Sequence, residues 1–212
     1  MDLLLIRHAQ TTSNVSRALD TSLPGADLTD LGERQVVELA ALLADERIDA
    51  VWCSPTLRTR RTAAGLAGPR GLEPEVRDGL VEISAGDWEM STEEAHADTY
   101  RDAVVAAVSG TVGVCVPGGE TPAQVLARFD AVVDEIRGSG HGRVALVSHG
   151  AVLRTWCGIR VGNVSVDRVA ARPLGNTGLV RLHADADGWR ASEWDTEVVE
   201  PGGEAGPAAG PA

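Results

Sequence analysis

Short apolar runs alternate with amphipathic stretches along the first third of the chain. Residues 3–6 and 49–53 are apolar runs of strand length. Each is followed by a stretch, at 28–46 and 56–67, with the composition and apolar spacing of a helix. A strand, helix, strand, helix order favours a mainly parallel sheet that is covered by helices on both faces.

The rest of the chain extends this pattern and adds an antiparallel edge. Residues 177–183 and 189–194 alternate apolar with polar side chains well enough to predict an antiparallel pair. The predicted fold class is an α/β, three-layer α/β/α sandwich with a mainly parallel sheet and an antiparallel edge. The other predicted elements are a short strand at 76–77, helices at 91–108, 121–137 and 150–157, and a buried strand at 143–148.

The predicted helix at 28–46 has a recognisable start and an apolar face. Thr29 is the expected N-cap, because its hydroxyl can accept a hydrogen bond from a backbone N–H of the first turn. The side chains predicted to share the buried face are Leu28, Leu31, Leu39, Leu42 and Leu43.

The chain shows no internal repeat and no sign of a second domain. Residues 1–198 are predicted to form one domain, which is long enough to bury a substantial core. Residues 199–212 contain little besides Gly, Pro and Ala. A segment of this composition buries too little apolar surface to become ordered, so the sequence predicts a disordered tail.

The charged residues exclude several kinds of function. The formal net charge is −12, which argues against a nucleic-acid partner or an acidic membrane surface. Every basic residue is an arginine and lysine does not occur, so Schiff-base chemistry and a phosphate-loop lysine are excluded. No apolar stretch approaches the length of a membrane span.

The cysteines indicate the compartment. Cys53, Cys115 and Cys157 are odd in number and widely separated, and they form no C-x-x-C pair. We expect buried, reduced thiols in a cytoplasmic protein. The first apolar run is too short for a signal peptide, which agrees with this expectation. The sequence does not decide between a monomer and a homo-oligomer.

Three predicted strands end in groups that suit an anion. The first runs into Arg7 and His8, the second leads to Arg58, and a later one ends at His149. Because the carboxyl ends of parallel strands meet at one edge of a sheet, these side chains should lie close together. Gathering two guanidinium groups there is costly unless an anion neutralises them. The sequence therefore predicts a phosphoryl site at this edge.

Four segments match, in order, the motifs of one family, and a P-G-G-E stretch at 117–120 adds a fifth similarity. The matched motifs are R-H-G-x-T-x-x-N at Arg7, His8, Thr11 and Asn14; S-P-x-x-R-x-x-x-T-A at Ser54, Pro55, Arg58, Thr62 and Ala63; L-x-E-x-x-x-G-x-W-E-G at Leu80, Glu82, Gly86, Trp88 and Glu89; and S-H-G at Ser148, His149 and Gly150. From residue 3 to about residue 183 the chain thus resembles the histidine phosphatase superfamily, in the branch of phosphoglycerate mutases and small phosphatases.

The resemblance implies a phosphoglycerate mutase-like fold and a covalent phosphohistidine mechanism. His8 would attack phosphorus as a neutral imidazole, with its other ring nitrogen held by a carbonyl. Glu82 would protonate the leaving alcohol and later take a proton from water. The phosphoryl oxygens would be bound by arginine and histidine side chains without a metal or cofactor, and the implied binding residues are Arg7, Arg58, His149 and Asn14.

The chain departs from the family motifs at two positions. Ala9 stands where the family has Gly. The extra methyl group is harmless provided that the backbone there adopts the usual α or β conformation rather than a positive φ. Met90 replaces the usual Gly after Trp88 and Glu89, in the segment that carries the acid. This change is expected to affect the substrate end of the site rather than the phosphate end.

Several functions remain open at this point. A phosphatase acting on a small phosphorylated metabolite is favoured, because the chain lacks the insertion that the true mutases carry near the acid. The alternatives are phosphoglycerate mutase-type transfer and a non-catalytic phosphoryl-ligand-binding module on the same fold. The sequence has no G-x-S-x-G elbow and no clustered metal-ligand motif, which disfavours serine and metal-dependent hydrolases. Substrate recognition is expected from residues 85–120.

Overall fold

The computed structural model describes residues 1–111, 113–195 and 197–199. Of the tail predicted at 199–212, Val199 lies within this range, where it is buried and its amide donates to the carbonyl oxygen of Ser192 at 3.1 Å. The remaining tail residues lie outside the described residues, so their disorder stays a prediction. No helix in the described ranges is long and apolar enough to cross a membrane.

The described residues form seven strands and seven α-helices. The strands are β1 (Asp2–Arg7), β2 (Ala50–Cys53), β3 (Glu75–Val76), β4 (Arg143–Ser148), β5 (Leu179–Asp185), β6 (Gly188–Trp194) and β7 (Glu197–Val198). The helices are α1 (Thr12–Ser16), α2 (Asp30–Leu42), α3 (Leu57–Ala67), α4 (Glu94–Val108), α5 (Pro122–Gly138), α6 (Gly150–Arg160) and α7 (Val166–Ala171).

These strands form one mixed sheet in the order β3-β2-β4-β1-β5-β6-β7. The pairs from β3 to β1 are parallel, and those from β1 to β7 are antiparallel. The predicted α/β class is confirmed, and the predicted antiparallel pair is β5 with β6, extended by β7. Because β1 pairs with β4 in register, Arg7 lies beside Ser148.

Alternate residues of β1 face the two helical layers. Leu3 and Leu5 pack in a core with side chains from α4, α5 and α6, whereas Leu4 and Ile6 pack in a second core with α2 and α3. All four leucine and isoleucine side chains are buried, and each contributes about 1.5–3 kcal/mol of transfer free energy. The sheet is thereby fixed between the helical layers, which is the predicted three-layer arrangement.

The buried face of α2 differs from the predicted one. Leu31 and Leu42 are 40% and 68% exposed. Of the predicted leucines, Leu39 and Leu43 are buried as expected. The helix also buries Gly32 and Val36, which were not predicted. Gly32, Val36 and Leu39 are spaced by four and then three residues, which keeps them on one side of a helix with 3.6 residues per turn. This side is rotated by about 50° from the centre of the predicted leucine face, so Leu31 and Leu42 are left toward solvent. The predicted cap is confirmed, since the Thr29 hydroxyl accepts from the amide of Gly32 at 3.0 Å.

Helices α1 and α7 were absent from the sequence prediction. They contain five and six residues, which is too short for an amphipathic period to be recognised. A capping box stabilises α1: the Thr11 hydroxyl accepts from the amide of Asn14, and the Asn14 side chain accepts from the amide of Thr11, each at 3.1 Å.

The three cysteines are free thiols, but they are not all buried. Cys53 and Cys157 are buried as expected, whereas the expectation was wrong for Cys115, which is exposed. Cys115 lies in the connection between α4 and α5, where there is no sheet to cover it. Burial raises the pKa of both enclosed thiols, that of Cys53 to about 11, so they remain protonated.

Candidate active site

The ends of β1, β2 and β4 lead into one cavity, as predicted. The cavity has an empty volume of about 720 Å³ and is lined by Arg7, His8, Arg58 and His149. The rings of His8 and His149 are 5.3 Å apart between centroids and are inclined at 64°. His8 is anchored to the neighbouring strand because its amide donates to the Ser148 carbonyl oxygen at 3.0 Å. The sheet therefore positions the predicted phosphate site directly.

His8 is held as a neutral imidazole. Its Nδ1 lies 2.8 Å from the carbonyl oxygen of Ala9, and because a carbonyl only accepts, Nδ1 carries the hydrogen. Burial, followed by the positive charges of Arg58 and Arg7, holds the pKa of His8 well below its usual value. The lone pair is therefore on Nε2, and the predicted carbonyl contact is confirmed.

His149 uses both ring nitrogens within the protein. Arg58 Nε donates to His149 Nδ1 at 3.3 Å, so the ring hydrogen lies on Nε2, 2.9 Å from the Ser54 hydroxyl oxygen. Burial and the charge of Arg58 lower the pKa of His149 well below its ordinary value. In this arrangement His149 orients the Arg58 guanidinium, and its contact with a phosphoryl oxygen stays a prediction.

Of the two predicted arginines, Arg58 is buried and Arg7 is partly buried, and neither has all of its donors hydrogen-bonded. Arg7 Nη1 donates to the Leu174 carbonyl oxygen at 2.6 Å, and Arg58 Nη2 donates to the Asp20 carbonyl oxygen at 2.8 Å. Arg7 Nε and Arg58 Nη1 are buried with no hydrogen-bond partner. An unsatisfied buried donor costs about 1–3 kcal/mol. An anion in the cavity could satisfy such donors, which fits the predicted phosphoryl ligand.

Gly150 explains how Arg7 reaches the start of α6. A side-chain Cβ at this position would lie 3.3 Å from Arg7 Nε and 3.4 Å from Arg7 Cδ. The contact with Nε is tighter than most Cβ contacts in proteins, and the contact with Cδ is at the lower limit of ordinary van der Waals distances. A glycine after His149 therefore permits the guanidinium to pack closely against the helix N-terminus.

Asn14 lines the cavity but also has a structural role. Its side-chain oxygen accepts from the amide of Thr11 and from Asn176 Nδ2 at 3.0 Å. Asn176 Nδ2 also donates to the carbonyl oxygen of His8 at 3.1 Å. Asn14 is thus linked to the backbone of His8 through Asn176, and its predicted contact with the phosphoryl group stays a prediction.

Glu82 lies at the N-terminus of α6. Its carboxylate oxygens accept from the amides of Ala151 at 3.0 Å, Val152 at 2.8 Å and Ile83 at 2.9 Å. The partial positive charge of a helix N-terminus attracts a carboxylate. These bonds fix the carboxylate in the wall of the cavity, beside the predicted phosphate site.

Arg128 of α5 holds the segment that carries Glu82. Its Nη1 donates to the carbonyl oxygens of Gly79 and Val81 at 2.8 and 2.7 Å, and its Nη2 donates to that of Glu82 at 3.2 Å. Arg128 is in turn ion-paired with Glu120 at 2.8 Å. A partly buried guanidinium with several carbonyl acceptors restricts the backbone before and after the acid.

The two departures from the family motifs have different consequences. Ala9 is buried, is not among the residues with positive φ, and donates its amide to the Thr62 hydroxyl at 3.1 Å, so the extra methyl is accommodated. Met90 has φ 61°, a left-handed conformation that costs a non-glycine residue about 1–2 kcal/mol. Its amide donates to the Leu19 carbonyl oxygen at 2.9 Å, which holds it in that conformation.

Five further polar side chains line the cavity that the sequence prediction did not single out. They are Ser13, Asp20, Thr21, Tyr100 and Arg154. The Asp20 carboxylate is 3.5 Å from Arg58 Nη1, and the Tyr100 hydroxyl donates to the Ile83 carbonyl oxygen at 2.6 Å. The position of Arg154, four residues after Gly150, was a detectable signal, because residues so spaced share a helix face.

The segment expected to recognise the substrate contributes little to the cavity. Among the described residues of 85–120, Tyr100 lines it, whereas the other walls come from 11–21, 150–154 and 173–174. Glu89 instead links two loops, because its carboxylate accepts from the amides of Thr21 and Ser22 and from the Thr21 hydroxyl.

Metal-ligating side chains are not concentrated in the described part of the chain. It contains no group of three or more His, Cys, Asp or Glu side chains that could hold a metal ion. The positive charge in the cavity is supplied by arginine guanidinium groups.

Comparison with known sequences agrees with the motifs. The model of the histidine phosphatase superfamily (branch 1) matches residues 3–197. The probable phosphoglycerate mutase GpmB of Photorhabdus laumondii is 30% identical over 94% of this chain and 92% of its own. A PE-PGRS family protein of Mycobacterium tuberculosis is 28% identical over 92% of this chain, but the match covers 36% of that longer protein.

Comparison with solved structures agrees with the fold. The mycobacterial glucosyl-3-phosphoglycerate phosphatase in complex with VO3 superposes with a TM-score of 0.78. The two sequences are 27% identical, and the match covers 92% of this chain and 99% of the other.

Proposed function

We propose, from the premise that this chain belongs to the histidine phosphatase superfamily (branch 1), that it hydrolyses a small phosphorylated metabolite through a phosphohistidine intermediate. The observation that carries the proposal is the state of His8. Its ring is neutral, with Nδ1–H directed to the Ala9 carbonyl, and it shares the cavity with Arg7 and Arg58. A neutral imidazole with its lone pair on Nε2 is a competent nucleophile.

In the first step, the Nε2 lone pair of His8 attacks phosphorus and the bond from phosphorus to the ester oxygen breaks. Arg7 and Arg58 bind the phosphoryl oxygens, over which negative charge spreads as the bond breaks. Glu82, in its acid form, gives its proton to the departing oxygen and leaves as a carboxylate. The alcohol is released and the phosphoryl group stays on His8.

In the second step, water attacks the phosphohistidine. Glu82 takes one proton from the attacking water, the bond from phosphorus to Nε2 breaks, and the electron pair returns to the ring. Inorganic phosphate leaves, and both His8 and Glu82 recover their starting forms. The position of Glu82 at the wall of the same cavity as His8 supports this double role.

The alternative of a phosphoglycerate mutase is supported by the relative named as a probable mutase. A mutase must hold its phosphoenzyme away from water while one phosphorylated acid leaves and another binds, which requires a strongly basic, closed cavity. Here three arginines face two carboxyl groups, Asp20 and Glu82, in the cavity wall. Asp20, which lies 3.5 Å from Arg58 Nη1, offsets part of the positive charge of the arginines, and this favours hydrolysis over mutase transfer.

We propose that the enzyme acts in the cytoplasm. The support is the chain's free thiols, since Cys53 and Cys157 are enclosed in the core and form no disulfide. Unpaired cysteines are typical of a reducing compartment.

Turnover of p-nitrophenyl phosphate tests the proposal. We expect the wild type to hydrolyse it and His8→Ala to lose activity by about a thousandfold or more, because the nucleophile is removed. The matched control is His183→Ala, which changes an exposed histidine hydrogen-bonded to Asp2 and should keep full activity. Undiminished turnover in His8→Ala contradicts the mechanism. Thermal stabilisation by inorganic phosphate without turnover of any monoester supports a binding module instead.

A further inference from the structure

One wall of the cavity is the irregular segment 18–22, which follows helix α1 and which we call the cavity loop. Ala18, Leu19, Asp20 and Thr21 line the cavity. The segment contains no helix or strand. Its position therefore depends on hydrogen bonds to other parts of the molecule, and these bonds decide where its polar groups lie.

The cavity loop helps to orient Arg58. The Asp20 carbonyl oxygen accepts from Arg58 Nη2 at 2.8 Å, and Arg58 Nε donates to His149 Nδ1 at 3.3 Å. The third nitrogen, Nη1, is buried with no hydrogen-bond partner. Because the guanidinium is planar, holding it at two nitrogens fixes the direction in which Nη1 can donate to a phosphoryl oxygen.

Glu89 holds the two residues that follow Asp20. One of its carboxylate oxygens accepts from the amides of Thr21 at 2.9 Å and Ser22 at 3.0 Å. The other accepts from the Thr21 hydroxyl. Hydrogen bonds to an ionised acceptor are stronger than those between neutral groups, so this carboxylate is a firm anchor for the carboxyl-terminal side of the cavity loop.

Glu89 and Arg58 are bonded to opposite sides of one peptide group. The Asp20 carbonyl, which accepts from Arg58, and the Thr21 amide, which donates to Glu89, belong to the same peptide bond. That group is planar, and its C=O and N–H point in opposite directions. Fixing the amide with the carboxylate therefore fixes the carbonyl that meets the guanidinium.

Other bonds keep the cavity loop in place without fixing this peptide plane. The Asp20 carboxylate accepts from the Ser13 hydroxyl and from the Ala26 amide, both at 2.8 Å. These bonds hold a side chain, and the peptide group beyond it can still rotate. A change at Glu89 should therefore loosen the carbonyl that meets Arg58 while the protein still folds.

We propose that Glu89 is a positioning residue for Arg58 and acts through the peptide group between Asp20 and Thr21. Arg58, held in this way, presents Nη1 to the phosphoryl group. The inference rests on the proposed function, because it names a residue on which the same site depends. Although Glu89 lies in the segment that carries Glu82, its effect belongs to the phosphate end of the cavity.

Glu89→Ala tests this role with two esters, p-nitrophenyl phosphate and ethyl phosphate. We expect kcat/KM to fall by about tenfold for both, which is about the worth of one hydrogen bond to a charged group. The losses are equal because Arg58 binds the same phosphoryl group in each ester. A disturbance of Glu82 would instead impair ethyl phosphate far more, since its poor leaving group needs a proton.

A double-mutant cycle with Arg58→Met shows whether Glu89 acts through Arg58. In the Arg58→Met background, Glu89→Ala should change kcat/KM and the dissociation constant for inorganic phosphate by less than about twofold, because the positioned group is absent. A general structural role would give the same loss in both backgrounds. The matched control is Glu94→Ala, an exposed position at the start of α4, which should have no effect in either background.

Two conservative variants separate anchoring from charge. Glu89→Gln loses the charge but keeps an oxygen that can accept from both backbone amides, so its kcat/KM should stay within about threefold of the wild type. Glu89→Asp keeps the charge but is one methylene shorter, so its loss should approach that of Glu89→Ala. Thermal unfolding shows which variants are folded, and Glu89→Asp carries the test if Glu89→Ala does not fold.

Four results overturn the proposal. Glu89→Ala is folded and fully active, its loss is confined to ethyl phosphate, the same loss appears in the Arg58→Met background, or Glu89→Gln is as impaired as Glu89→Ala. Each can occur in an enzyme that hydrolyses monoesters through His8. Failure of the wild type to hydrolyse either ester would contradict the proposed function instead, and calorimetric binding of inorganic phosphate would still measure the cycle.

Discussion

The cavity has two ends that are built differently. At the phosphate end, His8, Arg7 and His149 follow directly from strands β1 and β4. At the acid end, Tyr100 projects from helix α4 and its hydroxyl donates to the Ile83 carbonyl oxygen, and Glu82 comes from a loop. Position at the first end is set by sheet pairing, and position at the second by how helices and loops pack against it.

This difference separates general chemistry from substrate choice. Parallel strands that are hydrogen-bonded in register restrict the positions of the residues that follow them. The phosphate end is therefore a rigid site for the phosphoryl group. Residues on helix faces and in loops can be substituted without disturbing the sheet. We therefore expect substitutions at the phosphate end to affect all substrates alike, and substitutions at the acid end to affect them selectively.

The largest expected effects test this contrast directly. Arg58→Met should lower kcat/KM by about 10²–10³-fold for p-nitrophenyl phosphate and for an alkyl phosphate alike, because both place the same charge on the phosphoryl oxygens. Glu82→Gln should lower it by about 10²–10⁴-fold for the alkyl phosphate, whose poor leaving group needs a proton, and much less for p-nitrophenyl phosphate. Steady-state kinetics with both esters measures the difference.

Two controls accompany these variants. Arg61→Met changes an exposed arginine that is ion-paired with Asp27, and Glu94→Gln changes an exposed residue at the start of α4. Neither should alter the kinetics. The contrast is wrong if Glu82→Gln impairs both esters equally while remaining as thermally stable as the wild type.

The next effect concerns stability and pH at the phosphate end. The folded pKa values of His8 and His149 are well below 6.5, mainly because of burial. Between pH 6.5 and those values the unfolded chain binds more protons, so the free energy of unfolding falls as pH falls, by about 1.4 kcal/mol per pH unit for each histidine. Above pH 6.5 these two histidines do not make the free energy of unfolding depend on pH. Urea unfolding at several pH values between pH 8 and pH 5 measures this dependence.

Replacing one histidine gives the corresponding check. His8→Asn should remove about half of the slope that the two histidines produce, because one group no longer titrates. An unchanged slope in this variant would show that His8 protonates in the folded protein as readily as in the unfolded chain, contrary to a neutral buried nucleophile.

The smallest effect concerns the loop near the acid end. Met90 adopts φ 61°, which a glycine adopts without strain, so Met90→Gly should raise the free energy of unfolding by about 1 kcal/mol. Met90→Ala keeps the Cβ and should give no such gain. Denaturant unfolding compares the three proteins. A stabilisation of equal size in Met90→Ala would assign the gain to the lost side chain rather than to the backbone.

The same division explains what the sequence could predict. The strands, their polar ends and the motif residues from Arg7 to His149 are readable because each functional side chain is next to a strand or within a short motif. The predicted α2 face was wrong at Leu31 and Leu42, since a leucine-rich helix offers more apolar residues than one face can bury. Helices α1 and α7 are too short to leave a periodic signal.

The unpredicted site residues depend on tertiary packing. Asp20 reaches the cavity through an irregular loop, and Tyr100 enters it from α4, which lies far along the chain from the other walls. Nothing in the local sequence of Asp20 indicates this position. Tyr100 lies within residues 85–120, the segment expected to recognise the substrate, but no local signal singled it out from its neighbours. Arg154 differs, because its helical spacing from Gly150 could have placed it beside the predicted site.

The site of phosphorylation on the trapped enzyme tests the central claim most directly. The enzyme is mixed with a phosphate ester, denatured rapidly under alkaline conditions, which preserve phosphohistidine, and analysed by peptide mass spectrometry and phosphorus NMR. The account predicts one phosphoryl group on His8, attached to Nε2, because Nδ1 donates to the Ala9 carbonyl oxygen. A phosphoryl group on Nδ1 or on His149, or steady turnover under conditions that trap none, would contradict it.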